Sequence, residues 1–206
     1  VRGMAISPDG RYLAVAHVLS RYQVPTTQLD RGWMNTNAVT VIDTDEPDKP
    51  HPVLLDDPDA GAANPWGVSF SGDGGKLFVT HAGTHELSVI DFPALLERMK
   101  REDRSNEPVS ERLGFLHGLR ARIALPLNGP RSVASDGKNV YVAGYFSDSL
   151  AEISLKDARK SRAIPLNAPF RPSREKLGER LKELNAALAG DDRIAMEVAI
   201  FADRSS

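Results

Sequence analysis

Three stretches of this chain alternate apolar with small or polar positions in the same order. They read "RGMAISPDGRYLAVAH" from Arg2, "WGVSFSGDGGKLFVTH" from Trp66 and "RSVASDGKNVYVAG" from Arg131. Alternation with period two puts successive side chains on opposite faces of a strand, and the Asp-Gly pairs between the runs suit hairpin turns. Each stretch therefore predicts two antiparallel strands. Arg2, Trp66 and Arg131, which open them, are spaced by 64 and 65 positions; His17, His81 and Gly144, which close them, by 64 and 63. Agreement at both ends marks an internal repeat.

Each unit continues with a third run, "AVTVID" from Ala38, "ELSVID" from Glu86 and "SLAEIS" from Ser149. Shorter fourth runs follow at Pro52–Leu55, Arg122–Leu125 and Ser161–Leu166. Repeated units of four antiparallel strands describe β-propeller blades. The predicted class is all-β, with blades near residues 1–56, 64–126 and 129–166 inside a propeller region 1–170, and a helical C-terminal segment 171–206. A helical insertion is predicted near 93–120, where Leu95, Leu96 and Met99 share one side at helical spacing. From Ser173 to Ala189, Leu177, Leu181, Leu184 and Leu188 form a second apolar helix stripe. Propellers close with roughly four to eight blades. Three units therefore either belong to a larger ring, the expectation that the abrupt start at Val1 favours, or assemble with further copies into one.

Antiparallel connection sorts the loops. Turns joining the first to the second strand of each unit share one face, while loops joining the second to the third, and one unit to the next, share the opposite face. The expected ligand-binding face collects His17, Arg21, Tyr22, Trp33, Asn35, Trp66, His81, His85, Arg131 and Tyr145. For the imidazoles three roles are open: bonding loop backbone or lining a blade interface, jointly holding a metal, or acid–base catalysis. Arg131 suits a bidentate clamp on carboxylate or phosphate, or an ion pair with an acid on a neighbouring blade. Asp43 and Asp91, at the end of the repeated "VID", are read as turn caps rather than paired catalytic carboxylates.

The run "LFVTHAGTHELSVID" resembles the YVTN-type propeller repeat, with "ISPDGRYLAVAH" and "NVYVAGYFSDSLAEISL" as weaker copies. The family's Asn is replaced by His17, His81 and Gly144, so no role of that Asn is inherited. "SRYQVPTTQLDRGWMNTNA", "NPWGVSFS", "THAGTHELSVID" and "VYVAGYFSDSL", in that order, are similar to bacterial propeller proteins whose C-terminal part resembles a di-haem cytochrome c peroxidase. That resemblance implies a secreted or periplasmic scaffold or binding module. Its partner would be another protein, or the remaining blades or domain of the parent, and haem c would lie in a part outside this chain. Lactonases built from similar repeats suggest the competing expectation of an enzyme with its site in the propeller mouth, and a purely structural cell-surface repeat protein is the third.

Composition narrows this picture. The chain has no cysteine, which excludes disulfides, thiolate metal sites and covalent attachment of haem within it. A formal net charge of -2 gives no argument for nucleic acid or an anionic membrane. No apolar run approaches the roughly 20 residues of a membrane span. No elbow serine, phosphate loop or zinc-protease helix is found.

Overall fold

The computed structural model describes residues 1–20, 35–102, 109–157, 160–167 and 182. Among the described residues, twelve strands form three sheets of four. The first contains β1 (Gly3–Ile6), β2 (Tyr12–Ser20), β3 (Asn35–Asp43) and β4 (His51–Leu54), and the second β5 (Pro65–Phe70), β6 (Lys76–His81), β7 (Glu86–Asp91) and β8 (Arg120–Ala124). The third contains β9 (Pro130–Ser135), β10 (Asn139–Gly144), β11 (Ser149–Ser154) and β12 (Ser161–Pro165). In every sheet the strands pair antiparallel in chain order. Innermost β1, β5 and β9 lie side by side, so the sheets follow one another around a common axis as propeller blades.

The turn between the first two strands is built the same way in the first two blades. Asp9 Oδ1 accepts from the Arg11 amide at 3.1 Å, and the Ser7 hydroxyl accepts from the Tyr12 amide at 2.9 Å. Asp73 and Ser71 repeat both bonds with Gly75 and Lys76 at 3.0 and 2.8 Å. In the third blade Asp136 gathers the amides of Lys138 and Asn139 at 2.8 and 2.6 Å. Hydrogen bonds hold all three carboxyls below the usual carboxylate range, led by those from Ser7, Ser71 and the Asn139 amide.

Two apolar seams join the blades. Ala14, Ala16, Val39, Val41 and Val53 of the first blade meet Phe70, Leu77, Val79 and Ile90 of the second. Phe78 and Leu87 on the opposite face meet Val140, Val142, Ala151 and Ile153 of the third. Alternation in sequence thus becomes alternation between two seams, as expected for a sheet covered on both faces. Glu152 stands where earlier units carry Val41 and Val89. It pairs with Arg162 and accepts the Tyr141 hydroxyl at 3.2 Å, giving that side of the third blade a polar surface. On the first blade Met4 and Ile6 are 67% and 58% exposed.

At the axis the strands approach through glycine. A Cβ on Gly3 would lie 2.1 Å from the Trp66 carbonyl oxygen, and one on Gly67 would lie 2.5 Å from that of Arg131. Both obstacles are backbone, so neither can rotate away. Gly67→Ala is therefore expected to cost about 2 kcal/mol by overpacking, whereas Gly72→Ala, whose Cβ would meet nothing within 4 Å, is expected to be neutral. Urea unfolding of the two variants checks this.

Helix α1 (Phe92–Glu102) occupies the front of the insertion. Asp91 caps it, accepting from the Ala94 amide at 3.1 Å, and also pairs with Lys76 at 2.9 Å. Asp43 accepts the Asp45 amide at 3.0 Å, so each "VID" aspartate ends its strand as a cap. The helix buries Leu95 and Met99 in the first seam beside Phe115 and Leu116, while Glu97, Lys100 and Arg101 face water. Val1–Leu166 form one compact unit. The stripe expected between Ser173 and Ala189 lies outside the described residues.

Candidate functional site

The loops that follow each second strand, and those linking one blade to the next, interlock. Asp56, 2% exposed, receives the Asn37 amide at 2.8 Å, the Asn37 side-chain amide at 2.9 Å and the Ala62 amide at 2.7 Å. Asn37 Oδ1 in turn accepts the Asn64 amide at 3.1 Å. These bonds pin the first inter-blade loop against the start of β3.

His81 closes β6 beneath that loop and is fully buried. Its Nδ1 lies 3.1 Å from the Ala62 carbonyl oxygen and its Nε2 2.7 Å from Ser88 Oγ. A carbonyl only accepts, so Nδ1 carries the proton and Nε2 accepts from the serine hydroxyl. Burial, followed by the nearby Arg120 and Arg122, lowers its pKa to about 3. Of the roles open to it, His81 thus bonds loop backbone, and its side chain turns inward, where substrate has no access.

His17 Nε2 is 2.6 Å from Thr40 Oγ1 on the adjacent strand. His85 Nδ1 accepts the Gly129 amide at 3.0 Å and so ties the second blade's loop to the link into the third. Joint metal holding by His17, His81 and His85, one of the three roles left open above, finds no converged ligand set. Each ring bonds to a different neighbour, and among the described residues no three His, Cys, Asp or Glu side chains converge to hold a metal.

Trp66, Arg131 and Tyr145, in contrast, come together. The Arg131 guanidinium carbon lies 4.2 Å from the centroid of the Trp66 ring, 3.6 Å from that of Tyr145 and 5.6 Å from that of Phe146. Arg2 stacks on the same tryptophan at 4.7 Å. Tyr145 and Phe146 form an edge-to-face pair with centroids 4.9 Å apart. They are 60% and 70% exposed. Asn35, exposed at the start of β3, pairs with Ser20 and joins none of this. Arg21, Tyr22 and Trp33 lie outside the described residues.

Sequence reasoning missed two members of this cluster and a nearby ion network. Arg2 was legible, being the repeat counterpart of Trp66 and Arg131; Phe146 carried no signal beyond its place next to Tyr145. Arg120 and Arg122 alternate on one face of β8, a pattern that calls for acidic partners on that face. Asp57 takes Nη2 of Arg120 and Nη1 of Arg122, the latter at 3.1 Å, and Glu86 takes Nη2 of Arg122.

No protein-family model matches the chain. In sequence it is similar to the hydrazine synthase subunit beta of Kuenenia stuttgartiensis, 31% identical over 157 residues, covering 74% of this chain and 40% of that protein. In three dimensions it is similar to the solved Kuenenia stuttgartiensis hydrazine synthase, at a TM-score of 0.66 and 30% identity over 74% of this chain and 44% of that one. The chain thus spans less than half the length of the relative it matches. A nidogen/laminin complex, 18% identical with a TM-score of 0.50 over 80% of this chain and 46% of that one, agrees in fold alone. The fold is that of β-propeller blades.

Proposed function

We propose that this chain is the propeller scaffold of a bacterial multi-subunit assembly, binding other components through the mouth formed by its inner strands and their loops. One observation carries the reading. The mouth's imidazoles and buried carboxylate are spent on holding blades and loops together, while exposed Tyr145 and Phe146 beside them, with the half-buried Arg131 they cover, suit binding. Aromatic residues and arginine are enriched among the anchors of binding surfaces. Similarity to a protein named as a subunit supports the same role.

The protein would act in the periplasm or outside the cell, as the resemblance of its repeats to exported propeller proteins implies. A haem-bearing redox part would lie outside residues 1–206. Residues 1–206 hold no cysteine to attach haem c, and the three described mouth imidazoles each bond a protein neighbour. A hydrolase in the mouth would need an accessible base; His81 is sealed from solvent, and exposed His85 has its Nδ1 engaged by the Gly129 amide.

Native purification of the full-length protein from the cells that make it, followed by sizing, mass spectrometry and absorbance in the haem Soret region, tests the proposal. Stoichiometric co-elution with defined partner chains is the expected result. Elution as an isolated polypeptide would overturn the scaffold role. Co-elution without haem absorbance would remove the haem-bearing part from the proposal.

A further inference from the structure

We infer that Arg2, Trp66, Arg131, Tyr145 and Phe146 form a binding site for an oxyanion, carboxylate or phosphate, carried on a planar apolar body. The inference rests on reading this face as a binding surface and adds the chemistry of what it binds.

Arg2, Trp66 and Arg131 open the inner strands of three successive blades, so the repeat brings two guanidiniums to one indole. Among the described residues, Arg11, Arg98, Arg120, Arg122 and Arg162 each reach a carboxylate or carbonyl oxygen. The contacts of Arg2 and Arg131 are with rings instead. Arg131 Nε is buried with no hydrogen-bond partner, as is Arg122 Nε, an arrangement that costs free energy. Two like charges on one tryptophan also repel each other, and an anion beside either guanidinium offsets that repulsion.

The geometry leaves room for such a ligand. Cation–π stacking uses the faces of a guanidinium, whereas its N–H donors point outward in its plane, in a fork that matches carboxylate or phosphate. Trp66 and Tyr145 can thus hold Arg131 while its edge receives an oxyanion. The backbone that carries the rings is held in place. The Tyr145 amide donates to the Gly129 carbonyl at 3.0 Å, and the Phe146 amide to that of Asn128 at 3.2 Å. Phe146 rests directly on Gly129, where a Cβ would come within 2.6 Å of the ring. Two exposed aromatic rings beside an unpaired cation offer a flat apolar ligand a surface to cover.

Isothermal titration of the full-length protein with 3-phenylpropionate, phenyl phosphate, acetate, inorganic phosphate and benzyl alcohol tests the site. Saturable binding of one or both aryl anions is expected, and the tighter of the two identifies the oxyanion. Acetate, inorganic phosphate and the neutral alcohol should each bind at least tenfold more weakly, because each lacks the ring or the charge. Arg131→Gln should weaken the aryl anion at least tenfold. Should that variant not fold, Arg2→Gln, at an exposed position, should weaken it at least threefold. Absence of saturable binding to either aryl anion, equal binding of acetate or benzyl alcohol, or binding unchanged in the folded arginine variants would overturn the inference. Sizing the natural assembly with Arg131→Gln in place separates the two proposals: retained partners with lost aryl-anion binding supports the site and the scaffold as distinct properties. Retained partners with no aryl-anion binding in the unsubstituted protein sinks the site alone.

Discussion

His81→Gln is expected to flatten the pH dependence of stability between about pH 6.5 and 4.5. In the folded chain the ring titrates at about 3, because it is buried and lies near Arg120 and Arg122. In the unfolded chain it titrates near 6.5. Below that value the unfolded state therefore binds a proton that the folded state refuses, and stability falls as pH falls. The slope is about 1.4 kcal/mol per pH unit once the unfolded ring is protonated. Glutamine keeps a polar group near Ser88 and Ala62 but does not titrate. At pH 7.5 it should cost about 1–3 kcal/mol, since the imidazole's two bonds are replaced imperfectly and a buried partner left unpaired is expensive. Toward pH 4.5 the gap should close as the histidine protein weakens.

Urea midpoints measured at half-unit steps from pH 7.5 to 4.5 give both slopes. The window is chosen to exclude the carboxylates. Asp9, Asp73, Asp91 and Asp136 have lowered folded values, led respectively by hydrogen bonds from Ser71 for Asp73, Ser7 for Asp9, Lys76 for Asp91 and the Asn139 amide for Asp136. Their contribution is present above the unfolded carboxylate range near 4 and is lost only as pH falls through the lower folded values. Parallel slopes for the two proteins would mean that His81 is not the group that couples protonation to unfolding.

The strands were legible because alternation is local. Val39 and Val41 face one seam, Leu77 and Val79 face the same seam from the next blade, and spacing of two assigns both sets without coordinates. The third strands at Glu86 and Ser149 begin where the pattern places them. The fate of the imidazoles was not legible, because it depends on loops distant in sequence. His81 is sealed beneath Ala62, 19 positions away, whereas His85 bonds the Gly129 amide, 44 positions away, and stays exposed. Local pattern puts both histidines at the end of a strand on the loop face, and only the folded link between blades decides which is covered. Arg131 shows the same limit from the other side. Its spacing from Trp66 gave its place on the inner strand, but an ion pair was as compatible with that place as the ring stack it makes.

Asp57→Ala should be among the most damaging substitutions in the chain, at about 3–5 kcal/mol, because it strips the anion from a buried pair of arginines. The side chains of Arg120 and Arg122 are 4% and 16% exposed, and Asp57 bridges them from the loop that leaves the first blade. Arg122 would keep Glu86 and the carbonyls of Ala60 and Gly61. Arg120 would keep the Leu55 carbonyl but no carboxylate at bonding distance. A cation with so little access to water has no cheap replacement, so the loss falls mainly on Arg120. If this account is right, the damage is conditional on that charge. Arg120→Met in the Asp57→Ala background should recover part of the stability, since an apolar side chain in the same space needs no counter-ion. The exposed Glu46–Lys49 pair supplies the contrast. Its side chains are 60% and 66% exposed, so Glu46→Ala should change stability by less than about 0.5 kcal/mol. Urea unfolding of the four proteins at one pH and salt concentration decides the matter. A double variant no more stable than Asp57→Ala would place the damage in the loop's conformation instead of the uncompensated guanidinium.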